Sequence, residues 1–268
     1  MPWSSCAQSV PFRMLAIATA LAFASVPSTA IASDPTRLRL TLDHWPPYEY
    51  VENGQVKGYT IDKLRLVLKK LGIELETPQA SVPWKRVLAM IESGEADVAV
   101  NGTYRDIHLG SMRYSATPIT YANWTFFVRA SEKDQFKTRN DLKGKTVGLV
   151  NGWLYSEALD QFTRRHSKRV VSYEQDVNFQ RLLSGQVDYV IDNIHVGRYM
   201  LQQHRWQEQI VASQVPPEPV DFYAFFSLKT VPASFVSRFS SALANFNDSA
   251  EDKALKRQYG IDTDTPLP

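Results

Sequence analysis

The sequence describes an α/β protein of two similar lobes, each a mostly parallel sheet flanked by helices, joined by a two-stranded hinge. Helical and strand patterns alternate from Leu38 onward, the order that builds parallel sheets with helices on their faces. The pattern then repeats. Residues 182–192, "LLSGQVDYVID", echo residues 91–101, "IESGEADVAVN": a helix end, Ser-Gly, two further residues, Asp, an apolar strand and a polar residue. Upstream, "KTVGLVNGW" echoes "LRLTLDHW". Each is a strand closed by a polar residue (Asn151, Asp43) with a tryptophan two positions on (Trp153, Trp45).

The elements follow in order. "MPWSSCAQSVPFR" carries one charge, Arg13, and precedes the apolar "MLAIATALAFASV" and an Ala30-Ile31-Ala32 site. A basic start, a short apolar run and an A-x-A site read as a secretory signal peptide, residues 1–32. The run is too short to span a bilayer. The only cysteine, Cys6, falls inside it, so the exported chain is expected to be soluble, without a disulfide or a lipid-anchoring cysteine. "LRLTL" alternates as a strand does. "YTIDKLRLVLKKLG" has helical spacing and a terminal Gly72, and "PWKRVLAMIESG" a helix with Pro83 at its start and Gly94 at its end. "ADVAV" is a short apolar strand. Two extended crossings follow from "WTFFVRA" (124–130) and "DFYAFFSL" (221–228), the second preceded by the irregular "QVPPEPV". The helices "PASFVSRFSSALANFN" and "SAEDKALKRQYG" then cover the first lobe. The expected division is lobe I over 33–126 and 222–268, and lobe II over 127–221.

Composition removes several classes. The 268 residues are 44% hydrophobic and 22% charged, with a net charge of +2 spread along the chain. That is no nucleic-acid footprint. There is no G-x-S-x-G, P-loop, G-x-G-x-x-G or H-E-x-x-H. His44, His108, His166, His195 and His204 lack metal-ligand spacing. No cofactor and no metal are expected.

The chain resembles the extracellular solute-binding proteins of family 3. The resemblance rests on "WPPYEY", "GYTIDKLRLVLKKLG", "VLAMIESGEADVAVNGTY", "YSATPI", "DLKGKTVGLVNG" and "LLSGQVDYVID", and covers about residues 38–260. It implies a type II periplasmic-binding-protein fold that closes on a small polar ligand, an amino acid or related amine. It further implies a periplasmic, monomeric protein serving the membrane permease of an ABC importer, not an enzyme.

In parallel α/β sheets ligands sit beyond the carboxyl ends of the strands. That places Asp43, Trp45, Asn101, Asn151, Trp153 and Asp192 on a shared cleft, with Tyr48 and Thr103 in the adjoining loops. The resemblance implies that Asp192 binds the ligand's α-amino group; as a helix N-cap for "NIHVGRYML" it has an equally physical use. Trp45 matches the family's aromatic after the first strand, or else caps the core edge. Trp84, opening its helix on the apolar side, reads as core. Asp62, near a helix start, reads as structural, as do Asp97 and Asp188 at the far ends of their strands. The segment after "ADVAV" departs from the family. Counting back six from Tyr114 reaches His108 where the carboxylate-binding arginine is expected, while Arg105 lies three residues earlier. Arg105 either replaces that arginine or, like Arg113, is a surface residue. Trp153 and Leu154 also stand where the family has Thr or Ser. The expected ligand is therefore dominated by an amine or aromatic part and is not an acidic amino acid. Two other readings stay open. One is an exported enzyme like cyclohexadienyl dehydratase, using Asp43, Asp192 and His108 for acid–base chemistry. The other is a ligand-sensing partner of a membrane receptor.

Overall fold

The structure is a computed structural model that describes residues 1, 3–4, 34–153 and 155–261. Cys6, Arg13 and the Ala30-Ile31-Ala32 of the predicted signal peptide lie outside the described residues, as does Leu154. Residues 34–261 belong to one compact unit. No described helix is long and apolar enough to cross a membrane.

The first lobe begins with β1 (Arg37–Arg39), the hairpin β2 (Tyr50–Glu52) and β3 (Gln55–Lys57), α1 (Tyr59–Lys70), β4 (Glu74–Glu76), α2 (Trp84–Ser93), β5 (Val98–Gly102) and β6 (Met112–Tyr114). The long β7 (Thr120–Arg129) leaves it. The second lobe holds β8 (Thr146–Val150), α3 (Glu157–His166), β9 (Lys168–Ser172), α4 (Gln175–Leu183), β10 (Tyr189–Asn193), α5 (Ile194–His204) and β11 (Ile210–Ala212). The chain returns along β12 (Glu218–Ser227) and ends in α6 (Ala233–Phe246) and α7 (Ala250–Gln258).

In the first lobe β1 pairs in parallel with β4, and Leu40 bridges in parallel to Val98 of β5. In the second, β9, β8 and β10 are parallel neighbours. The crossing strands make both sheets mixed. β7 runs antiparallel to β10 and β11, and β12 antiparallel to β5 and β6. Between the lobes β7 and β12 pair with each other, Thr120–Trp124 against Glu218–Phe222. This is the two-stranded hinge, and each crossing begins several residues earlier than its sequence pattern suggests. The hairpin was not anticipated; Asn53-Gly54, both at positive φ, is the turn dipeptide such a hairpin selects.

The core explains the patterns. β5 and β10 are buried along their whole length, as parallel strands covered on both faces are. Val98 and Val100 face the main core while Ala99 packs under α2 with Val87, Ile91 and Met112. The internal echo is physical. Asp97 accepts from the Arg39 N–H at 2.8 Å, and Asp188 from the Thr146 N–H at 2.7 Å, so one structural aspartate ties down the end of β1 and the other the start of β8. On the second lobe α5 lies directly on β7, where a Cβ at Gly197 would come within 2.1 Å of the Phe127 ring. On the first, α1 and α7 are tied by a buried triad: Tyr59 donates to Asp252 at 2.8 Å, and Lys63 reaches Tyr59 at 3.0 Å and Asp252 at 3.1 Å.

Candidate functional site

The loop from Asp43 to Glu49 carries most of the site. It closes on itself through Trp45 N–H to the Glu49 carbonyl at 2.7 Å and Glu49 N–H to the Trp45 carbonyl at 3.1 Å. It is also clamped to the start of α1. The Tyr59 and Thr60 N–H groups, which no helix carbonyl can take, donate to the carbonyls of Pro47 and Tyr48 at 2.9 and 3.1 Å. Gly58 permits this approach: its φ is +125°, and a Cβ there would lie 2.2 Å from the Tyr48 carbonyl. The turn therefore presents Trp45 and Glu49 from a rigid base.

Asn101 occupies the same level on β5. Its φ of +61° is left-handed, which asparagine tolerates better than most residues, and β12 pairing shifts register between Tyr223 and Phe225 opposite it. Its amide donates to Thr60 Oγ1 at 3.0 Å.

These groups meet at a narrow cavity of about 40 Å³ between the lobes. Asp43, Trp45, Asn101, Thr103 and Trp153, all foreseen from the sequence, line it. Four more residues join them: Glu49, Trp84, Trp124 and Phe222. That volume admits a few waters, so an amino acid enters only when the lobes part. The walls are aromatic. Trp45 stacks on Tyr48 at 4.8 Å and meets Phe222 and, across the cleft, Trp153 edge-on at 5.0 and 6.1 Å.

Two carboxyl groups face this cavity. Burial raises the Asp43 carboxyl above its ordinary range, opposed by hydrogen bonds from the His44 N–H and the Trp153 indole of the other lobe. Burial pushes Glu49 well above it, with the Asn101 amide opposing and the Asp43 charge adding. Four buried polar atoms on this lining have no hydrogen-bond partner among the described residues: Trp45 Nε1, Trp124 Nε1, Glu49 Oε2 and Asn101 Oδ1.

The other sequence-predicted residues lie around the cavity. Tyr48 is behind Trp45, and its hydroxyl reaches Asn193 Oδ1 of the second lobe at 3.4 Å. Asn151 stands in the turn after β8, with its N–H on the Ser172 carbonyl at 2.7 Å. Asp192 is 1% exposed, next to the hinge. It accepts from the Gln175 amide and, at 2.7 Å, from the Asn193 N–H; burial pushes its carboxyl up to about 7, with those two bonds opposing. It does not cap α5. Asn193 does, accepting from the His195 and Val196 N–H groups at 2.9 and 3.4 Å. Arg105 is half-buried and spans the cleft to the Tyr155 carbonyl at 2.6 Å. His108 ends the short 3-10 turn Asp106–His108 outside the cavity. Arg113 turns away to the Val231 carbonyl at 3.1 Å.

Trp84 is half-buried and packs against the core cluster under α2, as its sequence position suggests, edge-on to Phe225 at 5.8 Å, and it also lines the cavity. Glu49, Trp124 and Phe222 had not been singled out. Glu49 had a signal, a lone acid between tyrosines in the Pro-stiffened "WPPYEY" turn. Trp124 and Phe222 had none, because only the hinge register brings them together.

Among known proteins, the L-cystine-binding protein TcyJ of Escherichia coli (strain K12) is 29% identical over 150 residues, which cover 55% of this chain and 54% of that protein. The chain thus spans about half the length of that relative. The ABC transporter arginine-binding protein 1 of Escherichia coli (strain K12) is 25% identical over 80% of this chain and 86% of that one. Among solved structures, the amino acid ABC transporter substrate-binding protein AbpA of Streptococcus pneumoniae, bound to L-arginine, superposes with a TM-score of 0.70 at 22% identity, covering 86% of this chain and 97% of that one. The fold is that of the type II periplasmic binding proteins. Residues 39–260 match the family described as bacterial extracellular solute-binding proteins, family 3; with hinge, lobes and cleft in place, the chain belongs to that family.

Proposed function

We propose that this protein is exported through residues 1–32, works as a soluble periplasmic monomer without a lipid anchor, and captures an amino acid or related amine for the permease of an ABC importer. The lobe boundaries are placed at 126/127 and 221/222, within the crossing strands. The observation that carries the reading is the inter-lobe cavity, where two carboxyl groups sit among aromatic walls at the carboxyl ends of the strands. Carboxylates and ring faces both favour a cation, and an acidic ligand brought there meets two acids. Asp192 takes the ligand's ammonium group when the lobes open and close around it. Asn151 and Tyr48 support the cleft wall, and His108 stays outside the cavity in the loop after β5. Arg105 acts on closure, through its bond across the cleft. The names of the two relatives, a cystine binder and an arginine binder, support an amino-acid ligand. A binding role without catalysis is supported by the same names. The acid–base set Asp43, Asp192 and His108 has little support, since His108 lies outside the cavity that Asp43 lines.

The test is a thermal-shift screen of the purified exported chain with amino acids, polyamines, betaines and small carboxylates, followed by calorimetry. Saturable binding of an amine-bearing ligand, recovered unchanged, is expected. Tight binding of glutamate that is lost in Arg105→Ala overturns the amine-centred reading, and turnover of prephenate or arogenate overturns the binding role.

A further inference from the structure

The acceptors on the cavity lining are answered from within the chain, and two donors are not. Asp43 accepts from the His44 N–H and the Trp153 indole. Glu49, pushed well above the ordinary carboxyl range by burial, keeps its proton and hydrogen-bonds the Asn101 side chain, whose Oδ1 can accept that proton. The indoles of Trp45 and Trp124 are in a different position. The two residues are 6% and 2% exposed, and the Nε1–H of each has no acceptor among the described residues. A buried indole N–H ordinarily finds an acceptor, and leaving it without one is costly. Both rings line the cavity and both pack on Phe222, with centroids 5.0 and 6.0 Å from it. Neither turns aside cheaply. Trp45 is stacked on Tyr48 at 4.8 Å in its closed turn, and Trp124 stands in the hinge strand β7 against Tyr155 at 4.9 Å. Among the described residues no Lys or Arg lines the cavity, so an acceptor that enters it is met by neutral donors.

We propose that Trp45 and Trp124 are specificity-determining residues: their indole N–H groups together receive the carboxylate of the ligand. The inference rests on the binding reading above and narrows its ligand to amino acids, against amines that carry no carboxylate. The ligand's ammonium group and its carboxylate then divide the site, the first beside the acidic groups and the second against the indoles. Before binding, water can serve the two N–H groups, since the cavity has room for a few molecules. The carboxylate replaces that water as the lobes close. Donors already held in place lose little freedom when the ligand arrives, so most of what the two bonds contribute remains as discrimination.

The experiment compares wild type with Trp45→Phe and Trp124→Phe, which keep an aromatic ring and remove the N–H. The probes are pairs that differ only in the carboxylate: L-arginine and agmatine, L-lysine and cadaverine, L-histidine and histamine. An amino acid found in the wider screen joins the set with its decarboxylated form. Calorimetry near neutral pH is expected to show wild type binding the amino acid of a pair at least about tenfold more tightly than the amine. Each variant is expected to lose about tenfold for the amino acid, the usual worth of a hydrogen bond to a charged group, and less than about threefold for the amine. A general loosening of the wall would weaken both members of a pair alike. With nitrogen-15-labelled tryptophan, the indole resonances that vanish in the two variants should both move downfield when the amino acid binds wild type. Three outcomes overturn the inference while sparing the binding reading: amine and amino acid bound equally by wild type, a preference that survives in both variants, or indole resonances that do not move. If none of the probes, nor any amino acid in the wider screen, binds wild type, the binding reading itself fails and takes this inference with it.

Discussion

A carboxylate that is 1% exposed and meets an amide rather than a cation holds its proton more tightly than one in water. Asp192 is in that position, its carboxyl raised from 3.8 to about 7 by burial. Because the folded value lies above the unfolded one, its contribution to stability is fully present below about pH 4 and is lost as pH rises through about 7. The ligand-free protein should therefore gain less stability between pH 5 and pH 8 than its other carboxylates dictate. Asp192→Asn should remove that penalty, visible as a higher urea midpoint at pH 8 relative to wild type. The same substitution should weaken an amine-bearing ligand by about 2–5 kcal/mol, the usual loss when one partner of a buried charged pair is removed. A variant with unchanged affinity and unchanged pH profile would leave Asp192 a purely structural residue. Arg105 is a different case. Its bond ends on a backbone carbonyl of the opposite lobe, so Arg105→Ala should cost every ligand about 1 kcal/mol without altering their rank order in calorimetry.

At the scale of elements, close packing makes single positions decisive. α5 rests on β7 through Gly197, with Phe127 filling the space a side chain would need. Gly197→Ala forces helix and strand apart, and about 1–3 kcal/mol of overpacking strain is expected, read as a lower midpoint in urea with an unchanged m-value. α1 and α7 meet through Lys63 and Asp252, 2% and 0% exposed. Removing one partner leaves a buried charge uncompensated, so Asp252→Ala should cost about 3–5 kcal/mol. A shift smaller than 1 kcal/mol in chemical denaturation would show that water reaches this pair. Of the seven α-helices among the described residues, α1, α2, α6 and α7 were legible almost to the residue, α5 by its first turns and α4 by its Ser-Gly end, while α3 was not foreseen. Their stops and starts are local: Gly72 and Gly94 at positive φ, Pro83 before α2, and side-chain caps from Ser156 and Ser249. Strand limits were less legible, because where β7 and β12 cease to belong to one sheet and join the other depends on partners about 100 residues away.

Across the whole molecule, closure is what converts the two lobes into one site. Contacts across the cleft in this conformation include Trp45 against Trp153, Trp153 to Asp43, Arg105 to the Tyr155 carbonyl, and the Tyr48 hydroxyl to Asn193 Oδ1. Each joins residues on opposite sides of the hinge, so opening breaks them. Small-angle scattering should show a ligand-dependent radius of gyration under conditions that saturate the site; identical radii with and without bound ligand would argue against hinge motion. Ligand at a hundredfold excess over Kd should raise unfolding free energy by about 2.7 kcal/mol, measurable as a rise in Tm.

The repeat in the sequence by itself determined the two-lobed α/β architecture, and with it the strand ends where Asp43, Asn101, Asn151 and Asp192 stand, because periodicity, helix caps and the Ser-Gly turns act over a few residues. It also carried Trp45 and Trp153 to the same cleft through their equivalent positions. What only the tertiary structure decided is which side chains share the cavity. Glu49 meets Asn101 across a left-handed turn in β5; Trp124 meets Phe222 through the hinge register; Asn193, one residue beyond Asp192, takes the cap and leaves the aspartate uncommitted to α5. Each of these depends on distances set by the packing of elements far apart in the chain, and no local pattern of residues encodes them.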